Sequence, residues 1–246
     1  MESNALILPR TLDKLSSEFR YVDETHTYFL GERKLPSITG ILRMCGYVDT
    51  QWYTEEARNR GSHVHLAIKF LNKQTLDWGS VIDRYIGYVM AYEKFVRDWN
   101  FKVGIFELPL YHPDLLFGGT PDLVGTCLEN VPCIVELKTG PVMKWTALQT
   151  AAQELLIRAW DGPVIRRRRW GVTLNADGTY SKPKEFLDFD RDEAVFRMLN
   201  TAVQVLGEKT EPVFKALGVL TPDELRMINV GPLIQSVVEH RELYAA

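Results

Sequence analysis

The stretch FGGTPDLVGTCLENVPCIVELKTG, Phe117 to Gly140, decides how the chain is read. Leu123 to Cys127 and Cys133 to Thr139 are short, apolar and rich in β-branched residues, the pattern of buried strands joined by a polar turn. Three charges interrupt that pattern, Asp122, Glu136 and Lys138. An unpaired charge is costly to bury, so each needs a partner. Residues two apart on a strand share a face, which points Glu136 and Lys138 one way and Val135, Leu137 and Thr139 the other. The turn brings the chain back so that Asp122 can lie beside Glu136.

Outward from this hairpin the periodicity changes twice. Upstream, VGIFELPL is a third short strand, ending near Leu110. Before it lie two helical stripes. One runs from about Trp52 to Asn72 through Ala57, Gly61, Val64, Ile68 and Leu71. The other runs from about Ser80 to Trp99 and carries Tyr85, Tyr88, Tyr92, Phe95 and Trp99 on one side, with Tyr85, Tyr88, Tyr92 and Trp99 read as core. FRYVDETHTYFLG, from Phe19, predicts a small hairpin turning near Asp23 and Glu24. In LPSITGILRMCG either Ser37 or Thr39 can cap a short helix. Downstream, Trp145, Leu148, Ala152, Leu155, Leu156 and Ala159 return to helical spacing. From Val164 follows a strand, a turn at Asn175 to Gly178 and a second strand, then a helix capped by Asp190 and running to about Leu206. The order predicts an α/β layer architecture with a mixed central sheet flanked by helices. Residues 1–206 are expected to form the main domain, with an N-terminal hairpin and helices over 1–100 and a core over 101–206. Residues 207–246, punctuated by Pro212, Pro222 and Pro232, read as a helical appendage.

Composition narrows the class. The 246 residues are 46% hydrophobic and 25% charged, with a formal net charge of −3, an ordinary globular balance with no global sign of a polyanion binder. Cys45, Cys127 and Cys133 lack CxxC spacing, which fits a reducing compartment and excludes a four-cysteine zinc or iron–sulfur cluster. No apolar run reaches membrane-spanning length, and MESNALILPR lacks a basic segment followed by a long apolar one. A cytoplasmic protein without membrane attachment is the expectation.

Two adjacent carboxylates repel each other, and each has a raised pKa unless a cation lies between them. Mg²⁺ suits Asp122 and Glu136: it takes oxygen ligands, keeps several waters and accepts phosphate oxygens. The backbone carbonyl of Leu137 can add a further oxygen. Lys138 is placed to orient or deprotonate a water and to offset charge developing on a phosphate.

With Pro121-Asp122 as "PD" and Glu136-Leu137-Lys138 as "ExK", the segment resembles the PD-(D/E)xK nuclease superfamily, whose fold is restriction-endonuclease-like. Two decoys, Pro113-Asp114 and Glu32-Arg33-Lys34, lack the strand context. RGSHVHLAI resembles the G-x-x-x-H element of the exonuclease branch that includes RecB-like, lambda-exonuclease-like and mitochondrial-genome-maintenance nucleases. That resemblance implies His65 as a metal ligand and Mn²⁺ as a competent substitute for Mg²⁺. The branch also has a helix with Q-x-x-x-Y. Here WTALQTAAQELL gives Gln149, a candidate for positioning substrate or a metal-bound water, and Gln153 in place of the tyrosine. Glu107 falls on a strand position that is often acidic in these nucleases, a candidate for a second metal or for supporting the first.

The resemblance covers about Phe19 to Leu206. It implies a Mg²⁺-dependent DNA exonuclease of phage or mobile-element type that processes ends for recombination, repair or replication. A single-strand annealing or other recombination protein is its implied partner. Ser37 and Thr39 resemble an S-x-T element of phage members, although helix capping also accounts for them. Arg166 and Arg168 share one strand face and could contact DNA phosphates. A restriction- or repair-type endonuclease and a catalytically silent DNA- or protein-binding module are the rival readings.

Overall fold

The computed structural model describes residues 15–48, 54–128, 130–161 and 166–216. The expected helix start at Trp52, the Val164 strand start and the C-terminal segment from residue 217 lie outside the described residues. The centre is a five-stranded sheet in the order β10-β9-β8-β7-β4, with β4 at Lys102–Phe106, β7 at Leu123–Cys127, β8 at Val131–Lys138, β9 at Arg168–Thr173 and β10 at Lys184–Glu185. It is mixed: β8 and β9 run parallel, joined through helix α4 (Thr146–Asp161), while the other neighbours are antiparallel.

Alternation along β8 divides its side chains between two cores. Ile134, with Val124 of β7, faces α1 (Ile38–Met44), α4 and α5 (Phe189–Leu206). Cys133, Val135 and Leu137 face α2 (Glu55–Asn72) and α3 (Asp83–Asp98), where Tyr85 and Tyr92 are buried as expected. Trp99 packs edge-on against Trp170. Thr54 caps α2 through the Ala57 N–H, and the apolar stripe of α2 divides. Val64 and Ile68 enter the core, while Ala57 and Gly61 line a cleft. Helix α6 (Thr210–Ala216) follows α5 closely, and its Val213 and Phe214 sit in the core beneath α1.

The N-terminal hairpin forms and gains a strand, giving β1 (Phe19–Val22), β2 (Thr27–Leu30) and β3 (Arg33–Leu35). It docks on a two-stranded ribbon that no alternation announced, β5 (Leu110–Tyr111) with β6 (Gly118–Gly119). The approach is close because Gly118 has no side chain: a Cβ there would stand 2.3 Å from the Tyr28 ring. One expectation needs correction. Asp188, without a side-chain bond, precedes α5, while Asp190 lies in the first turn and binds Arg166. Of the two expected cap candidates it is Ser37 that caps α1, its Oγ accepting from the Gly40 N–H at 3.0 Å.

Candidate active site

The β7–β8 register pairs Leu123 with Val135, so one further step sets Asp122 opposite Glu136. Both carboxylates are buried, Glu136 only 2% exposed, and line a cleft of about 730 Å³. Asp122 Oδ2 accepts the Leu137 N–H at 2.8 Å. A strand residue's N–H and C=O point to the same side, so the Leu137 carbonyl also faces Asp122. Glu136 lies in a cradle of three donors. Its Oε1 accepts Lys138 Nζ at 2.6 Å and Gln149 Nε2 at 2.8 Å, and its Oε2 accepts Gln153 Nε2 at 2.7 Å. Lys138 reaches Gln149 Oε1 at 3.3 Å and stands 5.1 Å from the Trp145 ring centroid. Gln149 and Gln153, one helical turn apart on α4, thus meet the strand that carries Glu136.

From the other side, α2 supplies His65, whose Nδ1 lies 2.8 Å from Glu107 Oε1 and 3.9 Å from Asp122 Oδ1. Glu107 reaches the site, but from outside the strand where it was expected. β4 ends at Phe106, and Glu107 takes a left-handed φ of 45° while its N–H donates to the Asp122 carbonyl at 3.1 Å. Such a conformation is sparsely populated without glycine and is held here by the surrounding bonds.

The electrostatics are those of crowded acids. Burial, then the charge of Glu136, pushes the Asp122 carboxyl well above the usual carboxylate range, against the pull of His65, Lys138 and the Leu137 N–H. Burial opposes a charged imidazole at His65. The charge of Asp122, the bond to Glu107 and the charges of Glu107 and Glu136 outweigh it and raise the pKa to about 9. An imidazole must shed that proton to bind a metal, so ligation and deprotonation are linked there. Among the described residues no three acidic, imidazole or thiol groups already converge as a ready ligand set, because Glu136 is turned onto its three donors and His65 onto Glu107. In kind the donors fit a hard divalent cation: two carboxylates, a backbone oxygen and an imidazole, in a site whose acids repel each other without one.

Ser37 and Thr39 both line the cleft. Arg166 and Arg168 do not. Arg168 pairs across β8 with Cys133, five residues before Lys138, roughly 16 Å along the strand. Its guanidinium is held by Glu185 through two bonds of 2.6 Å, and Arg166 is bound by Asp190. Their charge is matched by these acids at the far end of the sheet, away from the cleft.

Sequence reasoning missed Arg58 and Lys69, which line the cleft from α2 on the face of His65. The spacing of 58, 62, 65 and 69 was legible as one helical face, but nothing marked that face as the cleft side. It also missed Tyr28, whose hydroxyl pairs with Thr120 Oγ1 at 2.8 Å on the opposite wall.

Among the described residues no helix is long and apolar enough to cross a membrane. No family model and no curated protein matches the chain. Among solved structures it is similar to an alkaline exonuclease from Laribacter hongkongensis, with 17% sequence identity and a TM-score of 0.35, over 74% of this chain and 90% of that one.

Proposed function

We propose that the chain is a metal-dependent DNA phosphodiesterase of PD-(D/E)xK type, acting as an exonuclease. The observation that carries this reading is the meeting of Asp122 and Glu136, from adjacent strands, with Lys138 in a cleft open to solvent. Both acids are buried and partnered, yet they line a cleft that opens to solvent, where a ligand can reach them. Asp122, Glu136, His65 and the Leu137 carbonyl would hold Mg²⁺, or Mn²⁺ in its place, with Glu107 orienting the imidazole through Nδ1. Such an ion, when bound, supplies Lewis acidity toward a phosphoryl oxygen and lowers the pKa of water.

The rest falls to the side chains. Lys138 brings an ammonium beside Glu136, able to hold an attacking water and to offset negative charge gathering on the phosphate. Gln149 bonds both Lys138 and Glu136 and fixes their separation. Gln153 holds the second oxygen of Glu136, leaving its own Oε1 buried without a partner.

The test is digestion of end-labelled linear and closed circular DNA with Mg²⁺, Mn²⁺ or a chelator. Linear DNA degraded from its ends only with metal is the expected result. Equal cutting of the circle would assign an endonuclease, and no cutting under any condition would end the nuclease reading.

A further inference from the structure

Three carboxylates, Glu107, Asp122 and Glu136, stand in the cleft, and a polyanion would be repelled by them unless cations flank its path. Two cations do so from one helix. Arg58 and Lys69 lie on the face of α2 that also carries His65, seven residues before it and four after it. At 1.5 Å per residue they stand about 10 Å and about 6 Å from His65 along the helix axis, on either side of it. Neither joins an ion pair among the described residues. The contrast with the arginines of β9 is complete: Arg166, Arg167, Arg168 and Arg169 all hold carboxylates. A cation left without an acid, facing a cleft, is available to an anion from outside.

The opposite wall limits what can enter. Tyr21, His26 and Tyr28 of the N-terminal sheet face α2 across the cleft, with Tyr28 tied to Thr120 and the Tyr21 hydroxyl 2.6 Å from His26 Nδ1. The space of about 730 Å³ between these walls has room for a short run of a single strand.

We propose that α2 is a phosphate rail: Arg58 and Lys69 hold backbone phosphates on the two sides of the reacting one, and the strand lying in the cleft is single. This rests on the nuclease reading and adds to it the form of the substrate and two positioning residues.

The test is binding of a fluorescein-labelled oligo-dT in chelator, where nothing is cut, across a series of salt concentrations. Each phosphate released from a cation lowers the slope of log K against log salt by about 0.7 for a single strand. Arg58→Gln and Lys69→Gln are each expected to reduce the magnitude of the slope by about that amount and the double variant by about 1.4. Arg166→Gln, whose charge is already matched by Asp190, is expected to keep the wild-type slope. A hairpin-capped duplex is expected to bind at least tenfold more weakly than the oligo-dT. A wild-type slope in the double variant, with circular dichroism showing both proteins folded, overturns the rail. Equal affinity for the capped duplex overturns the single-strand assignment. These failures are separable from failure of the nuclease reading, in which the wild-type protein would cut no DNA under metal.

Discussion

The two ends of β8 and β9 treat buried charge in opposite ways. At the far end Arg167 and Arg169 are buried among acids: Arg167 with Glu154 and Asp161, Arg169 with Asp192 at 2.7 Å and with the carbonyls of Ala147 and Phe186. Every such charge has an opposite within reach, and the region is closed. At the cleft end Asp122 and Glu136 lie side by side, share Lys138 and His65 as their cations, and border the open cleft. Closed charge holds helices α4 and α5 to the sheet, whereas open charge is stored repulsion available to a ligand. The two ends should therefore answer differently to losing a single charge.

The largest effect is expected at the closed end. Arg169→Ala deprives Asp192 of its guanidinium inside the protein and should lower stability by about 3–5 kcal/mol in urea unfolding. The double change Arg169→Met with Asp192→Leu should recover most of that loss; no recovery would mean that the arginine acts through its carbonyl bonds instead. At the cleft end Lys138→Ala should reduce turnover on DNA by about 100-fold or more, with binding in chelator retained. Wild-type rates in that variant would remove Lys138 from the chemistry. Asp122→Asn reverses the sign of the comparison. The amide oxygen can still accept the Leu137 N–H, and one repelling charge is gone. Stability should hold or rise by on the order of 1 kcal/mol while calorimetric affinity for Mn²⁺ falls. A clear loss of stability would show that the cleft acids are structural after all.

The smallest effect concerns a group outside both ends. His112 Nδ1 accepts the N–H groups of Asp114 and Leu115, at 3.2 and 3.1 Å, while burial, then Arg197 and Arg158, hold its pKa down to about 4. Below pH 6.5 the unfolded chain takes up a proton there that the folded chain refuses. The stabilisation present above that pH is lost progressively as the pH falls toward 4. His112→Asn keeps an acceptor without the proton. Between pH 6.5 and 5.5 the wild type should lose roughly 1 kcal/mol relative to that variant in unfolding titrations. Parallel curves would mean that the imidazole is not held neutral.

The readable part of the molecule was the part governed by short-range rules. Strand alternation and a tight turn were enough to bring Asp122, Glu136 and Lys138 together, because the register of a hairpin follows from its turn. Helical spacing sufficed to turn Gln149 and Gln153 to one side of α4. What escaped depends on distant partners. Arg166 to Arg169 read as an alternating basic strand, and only the packing of α4, α5 and β10 shows which acid each one meets. Asp190 has the chemistry of a cap, but a guanidinium claims it. Glu107 read as a strand residue because its left-handed backbone is imposed by the bond to the Asp122 carbonyl, a contact made across the sheet. The β5–β6 ribbon is only two residues long on each side, too short for any period to register.

The tight seat of Tyr28 on Gly118 fixes the aperture of the cleft by a side chain that is not there. Even a methyl group would lever the N-terminal sheet outward and draw the Tyr28 hydroxyl off Thr120. Any adjustment of the width of the cleft must then come from its helical side. The sheet side works as a rigid gauge, and the bore that it sets is a property of the smallest residue in the chain.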